Sequence, residues 1–342
     1  MISIEEVNDS TVFASLRQEW SELWERCPSA TPFQSPEWLL PWWKHFGNSK
    51  LLVLALRRNK RLIGLAPFFV FRRQEDRLLQ ISLIGTGISD YLDVIIEPDT
   101  AIEGAERIFE YLLSKKSRWD VCDFQELRRE SPLLRADTAG MHSTVEEMEV
   151  CPVLSLPDTV ASFRAGLTAR FRKRLRYTRN TINRKGEMLS EMASEETVEE
   201  YLDVLFHLHR TVWKERNMSG VLTDPRLRAF HGYVCKGFLE RGWLRLRILR
   251  LGGPPIAALY SFAAKGRLYC YLSGFDPEAA HCSPGKFILW RAIEDAITEG
   301  INEFDFLRGR EDYKYAWSPQ DRTNYRLRVW HAHASFQDAS PP

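Results

Sequence analysis

The chain has 342 residues, of which 44% are hydrophobic and 27% charged, with a formal net charge of +1. That length suits two domains of ordinary size, and the balance excludes disordered and membrane-spanning classes. It also excludes a global field that would select nucleic acid or anionic lipid, so any electrostatic recognition must be local.

In chain order, Leu16, Trp20, Leu23 and Trp24 recur at spacings of three and four, one face of a helix. Pro36 opens a second helix with Trp38, Leu39, Trp42 and Phe46 on its apolar side. Leu51–Leu56 and Leu62–Phe71 flank the polar turn 57–61 and predict a β-hairpin. Strands are expected at Leu78–Ile84, Tyr91–Ile96 and Trp119–Phe124, with an amphipathic helix at Ala101–Lys115. The segment Arg128–Thr144 is polar and rich in turn residues, and a boundary is expected near 149–154, giving halves 1–150 and 151–342.

The second half repeats this grammar. Strands are expected at Leu244–Leu251, Ile256–Ala263 and Arg267–Phe275, then a helix at Phe287–Thr298 and a strand at Asn302–Leu307. Repetition at this scale argues for two copies of one αβ unit. The expected fold class is therefore α/β, with mixed sheets in two similar halves.

The N-terminus Met1–Glu6 shows no basic region followed by an apolar one, and the hydrophobic runs are too short to span a bilayer. Six scattered cysteines without a C-x-x-C pair read as reduced thiols, so a cytoplasmic location without membrane insertion is expected. No H-x-x-x-H or C-x-x-C spacing is present, and no metal is expected.

Several segments carry chemistry. Ser283-Pro284-Gly285-Lys286 opens the helix after the strand that ends at Phe275. Unpaired backbone N–H groups at such a helix start, with the helix dipole, bind phosphate. Ser283 suits the N-cap and Pro284 the first helical position. Lys286 runs against the dipole preference, which a bound pyrophosphate would explain. From Arg164 to Gly186 there are nine Lys or Arg and no acid, on an amphipathic helix striped by Phe163, Leu167, Phe171 and Leu175. Arg170, Arg174 and Tyr177 share one flank, placed to contact an anionic or polyhydroxylated substrate. His209 lies on the apolar side of a helix from Val198 to Arg216, and His231 on the next helix, which Thr223, Asp224 and Pro225 start. Each is a packed histidine or a general base. Asp305 alternates with Phe304 and Phe306 on a strand, and Tyr313, Lys314 and Tyr315 follow Arg308 just beyond it.

The run YLSGFDP…SPGKFILWRAIEDAITEGINEFDFLRGREDYKYAW resembles the GNAT acetyltransferase-like group associated with bacterial cellulose and exopolysaccharide biosynthesis. It is similar, more distantly, to the Fem-type peptidyltransferases, which are tandem GNAT folds. The resemblance implies a GNAT fold, acetyl-CoA or another acyl-CoA as co-substrate, and direct attack by an amine or hydroxyl of a small-molecule or sugar acceptor. It implies a donor site in the second half, with backbone N–H groups near Ser273 and Gly274 holding the thioester carbonyl. Ser283, Pro284, Gly285, Lys286 and Lys314 would hold its phosphates. Tyr313 would protonate the leaving thiolate, with His209, His231 and Asp305 as further catalytic candidates. Asp90, Tyr91, Arg170, Arg174, Tyr177 and Arg308 would contact the acceptor. One departure stands out: the common GNAT loop is Q/R-x-x-G-x-G/A, whereas this chain has a single glycine in Ser283–Lys286. The first half has Glu97-Pro98-Asp99-Thr100 at the corresponding turn, whose acids disfavour phosphate. A Fem-like transfer from aminoacyl-tRNA and a catalytically silent scaffold are the alternatives; DNA is not an expected partner.

Overall fold

The computed structural model describes residues 1–215 and 224–331. The chain divides into two compact units: Met1–Glu149 together with the residues from Thr323 on, and Val150–Arg322.

The first unit starts with β1 (Ser3–Val7), α1 (Ser10–Ser15), α2 (Arg17–Arg26) and α3 (Pro36–Phe46). The hairpin follows as β2 (Lys50–Arg58) and β3 (Arg61–Arg72). Its two-residue turn, Asn59-Lys60, has φ of 51° and 67°, the left-handed pair that matches strand twist. Then come β4 (Leu79–Leu83), β5 (Ile95–Ile96), α4 (Ala101–Ser114) and β6 (Val121–Arg128). Strand β7 (His142–Ser155) leads into the second unit. That unit holds α5 (Val160–Gly166), α6 (Ala169–Lys185), β8 (Met188–Met192), α7 (Val198–Glu215) and α8 (Pro225–Glu240). It continues with β9 (Leu244–Leu251), β10 (Pro255–Ala264), β11 (Arg267–Phe275), α9 (Pro284–Thr298), β12 (Glu303–Asp305) and α10 (Asp312–Tyr315). Strand β13 (Gln320–Trp330) pairs antiparallel with β6 and so belongs to the first unit, unlike the expected 151–342. Asn324 on β13 ties it there, donating to the Asp90 carbonyl at 2.8 Å and the Glu126 carboxylate at 2.7 Å.

Within the first unit the strand order is β1-β2-β3-β4-β6-β13, and within the second β7-β12-β11-β10-β9-β8. Each unit contains the same motif. An antiparallel hairpin and third strand are followed by a helix and a strand parallel to the third: β4 with β6, and β11 with β12. In the second unit Phe287, Ile288, Ile293 and Ile297 of α9 pack on Leu259, Leu268 and Phe304 of the sheet. Each such side chain, fully buried, contributes about 1.5–3 kcal/mol. Helix α7 packs against β10 and β11.

The structure corrects four sequence expectations. The strand expected at Tyr91–Ile96 is reduced to β5: residues 84–88 form turns, with Gly85 and Gly87 at φ of 104° and 95°, and 91–94 are irregular. The basic stretch is two helices, not one. Leu167 is extended between them, Thr168 caps α6 by accepting from the Phe171 N–H at 3.2 Å, and Arg172 donates to the Ala165 carbonyl at 2.9 Å. That fork satisfies carbonyls that the end of α5 leaves open. Ser283 makes no side-chain cap, because it sits in the left-handed region at φ 50°. Finally, β1, β7, β8 and β13 were not expected from the sequence, since glutamates and arginines interrupt their apolar alternation. Asp224 does cap α8, accepting from the Arg226 N–H at 2.9 Å; Arg216 and Thr223 lie outside the described residues. Among the described residues no helix is long and apolar enough to cross a membrane.

Candidate functional site

The second unit has a place where two parallel strands part. β11 and β12 pair only from Arg267 with Glu303 to Tyr269 with Asp305. β11 runs on to Phe275, whereas the chain after β12 turns towards β7: the Phe306 and Gly309 N–H groups donate to Pro152 and Val150 at 2.9 and 3.0 Å. Beyond Tyr269 the wedge between them leaves that edge of β11 without a strand partner among the described residues. A bulge lies at the same level. Tyr260 pairs with Leu272 and Ser261 with Cys270, so Tyr271 is the extra residue. Bulges leave a residue out of the ladder and recur at functional sites. Ser273 is exposed just past this bulge.

Gly274 has a packing duty that the sequence did not reveal. A Cβ there would lie 2.5 Å from the His209 backbone nitrogen and 2.7 Å from the Leu208 carbonyl carbon. The glycine is required because α7 crosses β11 at backbone contact.

The N-terminus of α9 lies beyond β11. Pro284 supplies no N–H, and Gly285 and Lys286 fall in the first turn, where N–H groups lack intrahelical acceptors. Lys286 is half-buried, and burial followed by the nearby charge of Arg174 on α6 pushes its pKa down. Among the described residues neither cation has an acidic partner. Helix α6 packs against α9 and the turn before it, and an uncapped helix start flanked by two uncompensated cations favours an anion. The sequence assigned Lys286 to phosphate and Arg174 to the acceptor; the fold brings them together.

After β12 a short turn carries the remaining candidates. The Asp305 carboxylate is buried and accepts from the Leu307 N–H at 2.8 Å, so it shapes this turn. The Lys314 ammonium is buried as well, donating to the carbonyls of Leu307 at 3.1 Å, Arg308 at 2.6 Å and Gly309 at 3.3 Å, and pairing with Glu311 at 2.8 Å. These partners fill its donor capacity, which corrects its assignment to a donor phosphate. Arg308 is half-buried on the same turn. Tyr313 is exposed on α10, whereas the Tyr315 hydroxyl donates to Asp321 at 2.8 Å. Arg170 and Tyr177 are exposed on α6.

Both histidines depart from the behaviour that made them candidate bases. Burial pushes the pKa of His209 down to about 4 and, with help from Arg228, that of His231 to about 3. His231 is ringed by Phe206, Phe230, Tyr260 and Tyr271 at 4.8–5.9 Å between centroids. Near neutral pH each is an uncharged imidazole and a weaker base than an exposed one. The sign follows directly. Below the ordinary value of 6.5 the unfolded chain takes up a proton that the folded His231 refuses, so stability is lost as pH falls from there towards 3. His231→Phe should remove this part of the acid slope when melting is followed between about pH 7 and about pH 4. An unchanged slope would contradict the assignment.

In the first unit Asp90 and Tyr91 are buried. The Tyr91 ring packs edge-on to Phe33 at 6.2 Å under the Arg128 guanidinium at 5.7 Å. Asp93, unremarked in the sequence, accepts from the Ser131 hydroxyl and the Val94 N–H, both at 2.8 Å, and burial raises its pKa to about 7. Glu97 is paired with Arg26 at 2.6 Å and with Arg61. Among the described residues no group of three or more His, Cys, Asp or Glu side chains is placed to share a metal.

Residues 169–315 match the sequence profile of the Acetyltransferase (GNAT) domain. That segment contains the wedge, the bulge and the α9 N-terminus. The fold is tandem GNAT-like. A crystal structure of FemX superposes with a TM-score of 0.68 at 10% identity, covering 95% of this chain and 96% of that one. The C-terminal domain of a putative lysylphosphatidylglycerol synthetase from Agrobacterium fabrum gives 0.58 at 10% identity, with 95% and 93% covered. A tandem GNAT protein from the clavulanic acid biosynthesis pathway gives 0.51 at 11% identity, with 99% and 100% covered. At these identities the likeness shows the fold. No curated protein sequence matches the chain.

Proposed function

We propose that the second unit is an acyltransferase that moves an acyl group, acetyl in the first instance, from a CoA thioester to an amine or hydroxyl of a small-molecule or sugar acceptor. The observation that carries this reading is the convergence of Lys286 and Arg174 on the uncapped start of α9, beside the wedge between β11 and β12. The first-turn N–H groups and these cations would bind the donor's pyrophosphate. Backbone N–H groups near the Tyr271 bulge and Ser273 would polarise the thioester carbonyl. The acceptor nitrogen or oxygen bonds to the carbonyl carbon, the C–S bond breaks, and the thiolate takes the Tyr313 phenol proton. The acceptor loses its own proton to solvent, since His209 and His231 are weak bases where they stand. Arg170 and Arg308 of the second unit are the proposed acceptor contacts, whereas Tyr177 stands on the outward face of α6. An acceptor from exopolysaccharide or cellulose biosynthesis is the class the sequence resemblance favours. Six buried cysteines that form no disulfide fit a reducing compartment such as the cytoplasm.

The test is donor binding. At about a hundred times its dissociation constant, acetyl-CoA should stabilise the protein by roughly 2.7 kcal/mol. Lys286→Glu combined with Arg174→Glu should abolish that shift without lowering the melting temperature of the free protein. A shift that survives both substitutions would overturn the reading. The full-length likeness to FemX and the basic helix α6 support a second reading, transfer from aminoacyl-tRNA. Retarded migration of tRNA, with no heat of acetyl-CoA binding, would select it.

A further inference from the structure

The opposite flank of α6 has its own feature, separate from the α9 N-terminus. Between α5, α6 and α9 lies an open groove of about 440 Å³. Its floor is apolar, made by Leu167, Leu175 and Trp290. Its rim is cationic, made by Arg164, Arg172, Arg176 and Arg179.

The four arginines are not equivalent. Arg164 is a built part of the wall. It forks onto the buried Glu294 carboxylate at 2.6 and 2.9 Å and lies over the Trp290 ring at 5.7 Å. Trp290 donates to the same carboxylate at 2.6 Å. Arg172 is spent on backbone carbonyls at the helix break, which fixes its position but does not neutralise it. Arg176 and Arg179 have no acidic partner among the described residues. They sit three residues apart on one helix face, so both guanidinium groups can reach a single tetrahedral anion. Three uncompensated charges therefore stand over an apolar floor, in a chain whose net charge is only +1.

Beside the groove, the outward ridge of α6 carries Lys173, Tyr177 and Arg184. Tyr177 is 69% exposed, the only aromatic ring among the described residues left so open. Phe171 anchors the start of α6 beneath this surface by packing edge-on to Trp317 at 4.9 Å. A phosphate joined to an aliphatic body satisfies both halves of the groove. A surface dense in such groups satisfies the ridge, where a tyrosine has one apolar side and one wet end. A polynucleotide would neutralise the rim but leave the floor uncovered.

We propose that the groove and the outward ridge of α6 dock onto a membrane surface, with Arg176 and Arg179 holding the phosphate of an anionic phospholipid.

The experiment is co-sedimentation of the full chain with vesicles of phosphatidylcholine alone, and of phosphatidylcholine mixed with phosphatidylglycerol. Binding is expected to the mixed vesicles only, weakening as salt rises. Arg176→Glu with Arg179→Glu should weaken it at least about tenfold, since each basic residue near an anionic surface contributes several-fold. Both positions are exposed, and an unchanged melting temperature checks that the variant folds. Leu167→Asn should weaken vesicle binding while leaving any binding of glycerol 3-phosphate intact, which separates the apolar floor from charge alone. Lys286→Glu should leave vesicle binding unaltered. Three results would overturn the proposal: equal binding to neutral vesicles, full binding by the double variant, or saturation of the groove by glycerol 3-phosphate with no vesicle binding. Retention of duplex RNA by wild type but not by the double variant, with vesicles ignored, would also overturn it and assign the surface to nucleic acid.

Discussion

Tyr313→Phe should lower kcat by about 10²–10⁴-fold and leave the affinity for acetyl-CoA nearly unchanged, the range a positioned general acid contributes. The expectation rests on where the two tyrosines of α10 stand. The turn before the helix is pinned by the Lys314 ammonium on three carbonyls, so the helix start is fixed relative to the end of β12. Tyr313 occupies the first turn of that helix and is 45% exposed. Tyr315 is engaged with Asp321 at 2.8 Å, and burial together with this carboxylate raises its pKa, which makes it the poorer acid. Steady-state kinetics of the two phenylalanine variants, with donor binding measured calorimetrically, distinguish the roles. If Tyr315→Phe carries the loss and Tyr313→Phe does not, the general acid is the other tyrosine. If neither does, water protonates the thiolate.

Gly274→Ala should destabilise the second unit by about 1–3 kcal/mol, the usual cost of overpacking a close contact. The added methyl would come within 2.5 Å of the His209 nitrogen, 2.7 Å of the Leu208 carbonyl carbon and 2.9 Å of the His209 Cα. All three are backbone atoms of α7, so no side-chain rotation relieves the clash. The helix must move away from β11, or the strand must bend into the wedge. Urea unfolding should report the loss through a lower midpoint with little change in slope. Acetyl-CoA binding should weaken in parallel, since the displaced segment adjoins the Tyr271 bulge. A variant as stable as the parent would show that α7 does not hold β11 at this point.

Much of this molecule is legible along the chain. The hairpin at 50–72 follows from two apolar runs around a polar turn, and helix α4 from the spacing of Ala105, Ile108, Phe109 and Leu112. The order of strand, small-residue turn and helix from Arg267 to Thr298 located the α9 N-terminus and Lys286. Those features are local, because periodicity and turn chemistry act over a few residues. The acid-free run from Arg164 to Gly186 announced a charged surface in the same way. Its break at Leu167 was hidden, because the apolar stripe continues in register across the interruption and only Thr168 and Arg172 mark it.

What the sequence could not supply is pairing between distant segments. Arg174 and Lys286 are 112 positions apart and meet only because α6 packs beside α9. Lys314 reads as a phosphate ligand until the fold turns three carbonyls towards it. His209 and His231 read as bases because their ordinary pKa lies near neutrality; burial against the sheet removes that property, since low-dielectric surroundings disfavour the charged imidazole. Gly274 reads as part of a strand that would hold the thioester carbonyl, and the close approach of the α7 backbone, which also demands a glycine there, is not visible in the sequence. Residue types and their spacing thus determined the elements and the chemistry on offer. Tertiary packing decided which charges stay uncompensated, which are neutralised, and which groups keep their solution acidity, because each of these depends on neighbours that lie far away along the chain.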